Sequence, residues 1–409
     1  MPTPDEPRPA TCARDPPAHA GGPLDSPAVG LATARRGTID LEAPPMNEPR
    51  QARRSLFDRL FGAPDPQPDA PLPGGPVGRV EADDVPHART WMSWPASRSI
   101  WGRQLDGVQQ DIALVARTVA RFEPVTVCAP DESAAAAARA LCGSHVEVIG
   151  SIATDDLWMR DTCAVFRRTP SGSLDAVGLN FNGWGRKQAH ARDAAVARAV
   201  ASREGLPFQA AAFVGEAGAI ETDGDGTVMA TESSLVNTNR NRGMSRDGVE
   251  RAVLDAYGAE RMIWVRGLKG RDITDDHIDV TSRFVRPGVV LVQVPPADRN
   301  DVWARDAREQ FAALEGAVDA RGRRLQVIRV DGPGQVRSRK STFVDSYLNF
   351  HLVNGAVITA QFGDVVKDEE ARQTLAAAFP GREVVQLDVD RLMAGGGGIH
   401  CSTMQQPLA

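Results

Sequence analysis

The chain has no apolar run approaching the roughly 20 residues that cross a bilayer, so no membrane span is expected. It has no excess of positive charge either. A formal net charge of −6 over 409 residues gives no broad electrostatic reason to hold nucleic acid or an anionic membrane. It has no Cys-x-x-Cys pair. The five cysteines (Cys12, Cys128, Cys142, Cys163, Cys401) are odd in number and scattered, which argues against a disulfide framework or a zinc site and suits a reducing compartment. The turn Asp223-Gly224-Asp225-Gly226 lacks the ligand spacing and closing glutamate of a calcium loop. What is present is a globular composition, 42% hydrophobic and 24% charged, long enough for one large domain or two ordinary ones.

Proline is plentiful but unevenly placed: 17 of the 29 prolines precede position 77, with few aromatic or β-branched residues among them. Such a stretch cannot bury enough surface to offset its ordering entropy, so residues 1–77 are expected to be a disordered leader and 78–409 a single domain. Met46 inside the leader is a second candidate start. Arg53-Arg54 has the form of a twin-arginine export signal, but Asp58, Arg59 and Pro64 break the apolar region such a signal needs. The cytoplasm is the expected compartment.

From Arg79 onward, strand-like and helix-like segments alternate. Helical patterns fall near 104–121, 133–141, 190–204, 246–257, 301–317 and 368–378. Strands are expected near 125–128, 146–149, 162–167, 174–181, 262–266, 325–330 and 383–387. Hairpins are expected over 219–231, 279–294 and 347–361, the last turning on Asn354-Gly355. Hairpins mixed with helices exclude a simple run of parallel βαβ units and indicate an α/β fold.

The run Gly395-Gly396-Gly397-Gly398-Ile399-His400-Cys401 is the most informative stretch. Four residues without side chains let backbone press against a ligand or another strand, and a cysteine follows at once. The run lacks the Gly-Lys-Ser/Thr ending of a phosphate loop. Three further stretches offer partners for a nucleophilic thiol: Trp158-Met159-Arg160-Asp161 on a strand or strand end, Gly215-Glu216-Ala217-Gly218, and Asp276-His277-Ile278-Asp279, where His277 and Asp279 share one strand face. A thiol, an imidazole, three carboxylates and an aromatic suit attack on a planar cation such as guanidinium, which carboxylates fork-pair and an aromatic face covers.

With these motifs, together with Thr90-Trp91-Met92-Ser93-Trp94-Pro95, Asn182-Gly183-Trp184-Gly185 and Ser346-Tyr347-Leu348-Asn349-Phe350, the chain resembles the agmatine deiminase and bacterial-type peptidylarginine deiminase family over about 80–409. The resemblance implies a five-bladed α/β propeller with its active site on the central axis. By position it makes Cys401 the nucleophile, His277 the acid/base, and Asp161 and Asp279 the guanidinium clamps, with Glu216 a further acid beside the substrate. Trp158, Trp94, Trp184 and Asn349 become substrate contacts. The implied reaction turns agmatine, or another guanidine such as peptidyl-arginine, into a ureido product and ammonia, with no metal or organic cofactor and with a small cationic guanidino compound as partner. A homo-oligomer stays open. An amidinotransferase and a non-catalytic binding protein are the alternatives.

The family usually reads Glu-Gly-Gly where this chain has Glu216-Ala217-Gly218, and Arg-Asp-x-Gly-Pro where it has Arg160-Asp161-Thr162-Cys163-Ala164. It usually has glycine where this chain has Asp276. Adjacency predicts that the Asp276 carboxylate raises the pKa of His277.

Overall fold

The computed structural model describes residues 78–409; the expected leader over 1–77 lies outside them. Five small sheets repeat one plan: two antiparallel strands, a helix, then a third strand parallel to the second. In the first, Val165–Arg168 and Leu174–Gly178 pair antiparallel, and helix Asp193–Arg203 leads to the parallel strand Phe208–Ala210. The second uses Ile220–Thr222, Thr227–Thr231, helix Arg246–Tyr257 and Arg261–Val265. The third uses Ser282–Arg286, Val289–Val294, helix Val302–Gly316 and Gln326–Asp331. The fourth uses His351–Val353, Ala356–Ala360, helix Val365–Ala378 and Glu383–Leu387.

The fifth sheet joins the two ends of the domain. Thr403–Pro407 pairs antiparallel with His87–Ser93, which continues through helix Leu105–Val119 to the parallel strands Val125–Cys128 and Glu147–Ile149. The architecture is the expected five-bladed α/β propeller. Among the described residues no helix is long and apolar enough to cross a membrane.

Local sequence explains the elements. Leu105, Val108, Ile112, Val115 and Val119 recur at helical spacing and are the buried face of their helix. Asp131, Ser245, Asp301 and Asp364 start four other helices, each side chain accepting from the backbone N–H three residues on. The hairpins at Asp223 and Asn354-Gly355 lie where the sequence places them.

Two local expectations are corrected. Residues 159–162 form a single helical turn that begins after Trp158, not a strand, because Asp161 N and Thr162 N both bond back to the Trp158 carbonyl. Ile278–Val280 is likewise a 3₁₀ turn, so His277 and Asp279 are not two positions of one strand face. The strands Phe208–Ala210 and Thr403–Pro407 are additions; the second carries Gln405, Gln406 and Pro407 and shows no apolar alternation to announce it.

Candidate active site

The repeated plan brings the chemistry together. Each blade's first strand is entered by a short connection. Asp161 lies just before Val165–Arg168, Glu216 before Ile220–Thr222, and His277 and Asp279 before Ser282–Arg286. Asn349 lies just before His351–Val353, and Cys401 before Thr403–Pro407. Five connections from five blades thus deliver the six groups to one place.

Gly218 shows how tightly they meet. A Cβ placed there would lie 2.8 Å from Asp161 Oδ1, 2.9 Å from His277 Nδ1 and 3.2 Å from Asp279 Oδ2. Imidazole and carboxylates therefore converge on one point, and only glycine leaves it open. Of the two residues after Glu216, the second, Gly218, faces the site, and the first is Ala217.

Asn349 Nδ2 donates to Cys401 Sγ (3.1 Å) and to Asp279 Oδ2 (3.3 Å), and Cys401 Sγ lies 3.5 Å from Asp279 Oδ2. His277 Nε2 is 3.3 Å from Glu216 Oε2, and its Nδ1 is 3.8 Å from Asp161 Oδ1. Trp184 holds Asp161 through an Nε1–H bond of 2.8 Å to Oδ2, from a backbone in the left-handed region (φ 54°) that the Asn182 side chain braces by accepting from Gly185 N. One carboxylate oxygen, Asp279 Oδ1, is buried with no partner among the described residues. An acceptor left open beside a thiol is built for a donor that arrives with the substrate.

Electrostatics follow from this crowding. Burial pushes the His277 pKa down, but Asp161, Glu216 and Asp279 outweigh it and raise it to about 9, so the ring is an imidazolium. Burial, then the charges of Asp279 and Asp161, hold the Cys401 thiol well above its ordinary value. Burial lifts Asp161 to about 6 against the pull of His277. Glu216 stays below its usual value despite burial because Arg240 lies against it.

A cavity of about 310 Å³ opens onto this cluster. Cys401, Asp161, Trp158 and Trp184 line it, together with Trp101 and the backbone of Gly395–Gly397. The glycine run lets rings lie directly on backbone: a Cβ at Gly397 would come within 2.4 Å of Trp158, and one at Gly395 within 2.3 Å of Trp101. Glu216, His277 and Asp279 are not among the lining residues. Asn349 does not line the cavity; it bonds to Cys401 and Asp279.

Trp94 is a correction. Its backbone N–H bonds to the Cys128 carbonyl (2.8 Å) and its indole, 1% exposed, sits in the hydrophobic core, so it does not line the cavity. Trp101, seven residues on, lines it instead, beside Trp158 and Trp184.

Asp276 is a second correction. Its carboxyl accepts from Leu268 N (2.9 Å) and pairs with Asp306, and burial, then the charges of Asp306 and Asp272, raise its pKa well above the usual carboxylate range. It is not among the charges that raise His277. Asp275 and Asp276 both have positive φ, 63° and 74°, a region that glycine adopts without strain, and the Asp276 carboxyl goes to Leu268 N.

Sequence reasoning missed three supports. Buried Arg240 gives Nε to both oxygens of Glu216 (2.9 Å each) and NH1 to Asp275 (2.9 Å), from the polar stretch Asn237–Arg240 that carries no motif. Trp101 is the second. The third is His400, whose Nδ1 lies 2.7 Å from Asp279 Oδ2 and whose Nε2 lies 3.2 Å from Asp83 Oδ2. Its position beside Cys401 was visible, but its partners were not.

Residues 79–407 match the family of Porphyromonas-type peptidyl-arginine deiminases, and the chain belongs to it. The agmatine deiminase of Stutzerimonas stutzeri is 37% identical over 352 residues, covering 80% of this chain and 95% of that one. That of Pseudomonas aeruginosa is 36% identical over 353 residues, with the same coverage. The solved agmatine deiminase of Enterococcus faecalis superposes with a TM-score of 0.77 at 26% identity, over 82% of this chain and 99% of that one.

Proposed function

We propose that this chain is a guanidine deiminase that hydrolyses agmatine, or a close guanidino relative, to the ureido product and ammonia through a thiouronium on Cys401. From agmatine the product is N-carbamoylputrescine. The observation that carries the reading is the Asp279 carboxylate, whose Oδ2 lies 3.5 Å from the Cys401 thiol while its buried Oδ1 has no partner among the described residues. The kinship to agmatine deiminases supports it.

A guanidinium resists attack because its charge is delocalised, so orientation supplies much of the catalysis. Asp161 and Asp279 accept its N–H groups and fix its plane against the thiol. Burial and the two carboxylates raise the thiol's pKa; the substrate's positive charge offsets the carboxylates, so binding lowers the Cys401 pKa and the thiol loses its proton to solvent, from which the thiolate regenerated at the end of turnover recovers one. The thiolate adds to the central carbon. The His277 imidazolium protonates one amino group, which leaves as ammonia, and a cationic thiouronium remains on Cys401. Neutral His277 then takes a proton from water as the hydroxide adds to the same carbon. Collapse breaks the C–S bond and regenerates the thiolate; the remaining hydroxyl proton leaves with ammonia as ammonium. Cytoplasmic work on a small molecule fits the four described cysteines, all of them free.

The test is incubation of purified protein with agmatine and with an arginine peptide, assayed for ureido product and ammonia, with mass spectrometry of Cys401. Ammonia, ureido product and a thiouronium adduct are expected. Transfer of the amidino group to an amine without hydrolysis would overturn the reading.

A further inference from the structure

The carboxylate end of the cavity accounts for a guanidinium. The rest of the lining has to receive whatever the guanidine carries at its other end, and its charged side chains are few: Asp156, Asp161 and Lys340. Asp161 belongs to the guanidinium end.

Asp156 would be the natural acceptor for a tail ammonium, but its oxygens are already in use. Oδ1 accepts from Trp101 Nε1 and Leu157 N, both at 2.8 Å, and Oδ2 accepts from Gln188 Nε2 at 2.9 Å. At 3% exposure it has little surface for a fourth donor. The Thr342 hydroxyl is likewise committed, donating to the Ala394 carbonyl (2.8 Å).

Lys340 is different. It is exposed, and no carboxylate or other acceptor meets its ammonium among the described residues, although this protein pairs most of its surface cations. The half-buried Gln104 amide also lines the cavity with no hydrogen bond among the described residues. The uncommitted side-chain polar groups are therefore the Lys340 cation, the Gln104 carboxamide and the Gln188 carbonyl oxygen, and no free carboxylate accompanies them. An amine-ended tail would bring a second positive charge towards Lys340. A carboxylate would pair with it and accept from the Gln104 N–H₂. The indoles of Trp101, Trp158 and Trp184 supply apolar lining for the methylenes.

Resting on the deiminase reading, we propose that the substrate is an ω-guanidino acid, its carboxylate read by Lys340 with Gln104, and that amine-ended agmatine is the poorer substrate of the two kinds. The chemistry of attack at Cys401 is unchanged; Lys340 sets which tail is accepted.

The test compares 4-guanidinobutanoate with agmatine, both short linear guanidines whose tails end in opposite charge. Steady-state rates are measured for the wild type, Lys340→Gln and Lys340→Glu at low and physiological salt. The acid should have the higher kcat/KM by roughly tenfold, mostly through KM, since one exposed pairing replaces one exposed repulsion. Lys340→Gln should shrink that ratio and Lys340→Glu should invert it, both effects weakening with salt. Agmatine turned over as well as the acid by the wild type, or a ratio that Lys340→Glu leaves in place, would overturn the tail preference and leave the deiminase reading standing. Turnover of the arginine peptide but of neither small guanidine would also overturn it. No turnover of any guanidine would remove the deiminase reading and this inference together.

Discussion

Gly218 occupies the point on which three functional side chains converge. Its backbone is not left-handed, so alanine costs the main chain nothing there; the methyl would intrude on Asp161 Oδ1, His277 Nδ1 and Asp279 Oδ2. Gly218→Ala should lower kcat/KM by roughly 10²-fold while thermal unfolding stays near that of the wild type, as expected for a displacement of reacting groups by about 1 Å. The pH dependence is also set residue by residue. Attack needs an imidazolium and a thiolate, one proton fewer than the free enzyme holds, since burial and the neighbouring carboxylates keep the free thiol's pKa above the histidine's value of about 9. Thiolate therefore increases with pH while His277 stays charged, and kcat/KM should climb until about pH 9, then level as His277 loses its proton. Asp276→Gly should leave that limb in place, because the Asp276 carboxyl is engaged by Leu268 N and Asp306, which also raises its pKa, and not by His277. A pH–rate profile of the two proteins checks both statements. Residue identities at the site were legible because chemistry limits them: a thiol, a base and acids at recognisable motifs. Side-chain direction was not. Asp276 adjoins His277 in sequence yet turns away, and Trp94 stands in a family motif yet is core.

The helix Val302–Gly316 supports the catalytic turn through an unusual pair. Asp306 on the helix and Asp276 on the loop share a buried position, and both have raised pKa values, burial being the largest cause. Carboxyls whose folded pKa is raised favour the native state while protonated, and that stability is lost as pH rises through the folded value. Asp306→Asn should therefore raise the melting temperature at pH 8, by about 2 °C, and change it little at pH 5. The hairpin turn at Asn354-Gly355 has a second role that its sequence signal did not reveal. Asn354 exchanges two hydrogen bonds with the His87 backbone (2.9 Å each) and gives its own N–H to Glu123 Oε2 (2.8 Å), while Thr90 donates to Glu123 Oε1 (2.5 Å). This buried cluster pins the fourth blade to the fifth. Glu123→Ala would strand those donors and should cost about 3 kcal/mol in urea unfolding. Turns and helix caps were readable because each is fixed by a few adjacent residues. The latch was not, since His87 and Asn354 are 267 positions apart.

Fivefold repetition is a property of the whole molecule that no window of sequence carries. The blades share a plan of strand, strand, helix and strand but no repeated residues, and each was legible only as an isolated hairpin and helix. What their arrangement decides is that each blade contributes at the same point, the connection before its first strand, so the site exists only while all five are assembled. The closing strand Thr403–Pro407 begins two residues after Cys401, and Arg160 N bonds to the Cys401 carbonyl (3.0 Å), so nucleophile and seam are one structural unit. This makes the thiol a clock. In the closed ring burial, then Asp279 and Asp161, raise its pKa, so reagent that enters the cavity meets little thiolate and labels it slowly. When the seam parts, the thiol leaves both carboxylates, reaches solvent and ionises near its ordinary value, becoming far more reactive. The labelling rate of Cys401 by iodoacetamide thus counts seam openings in the native protein. It measures a sub-global opening free energy that urea unfolding, which averages over all five blades, does not resolve.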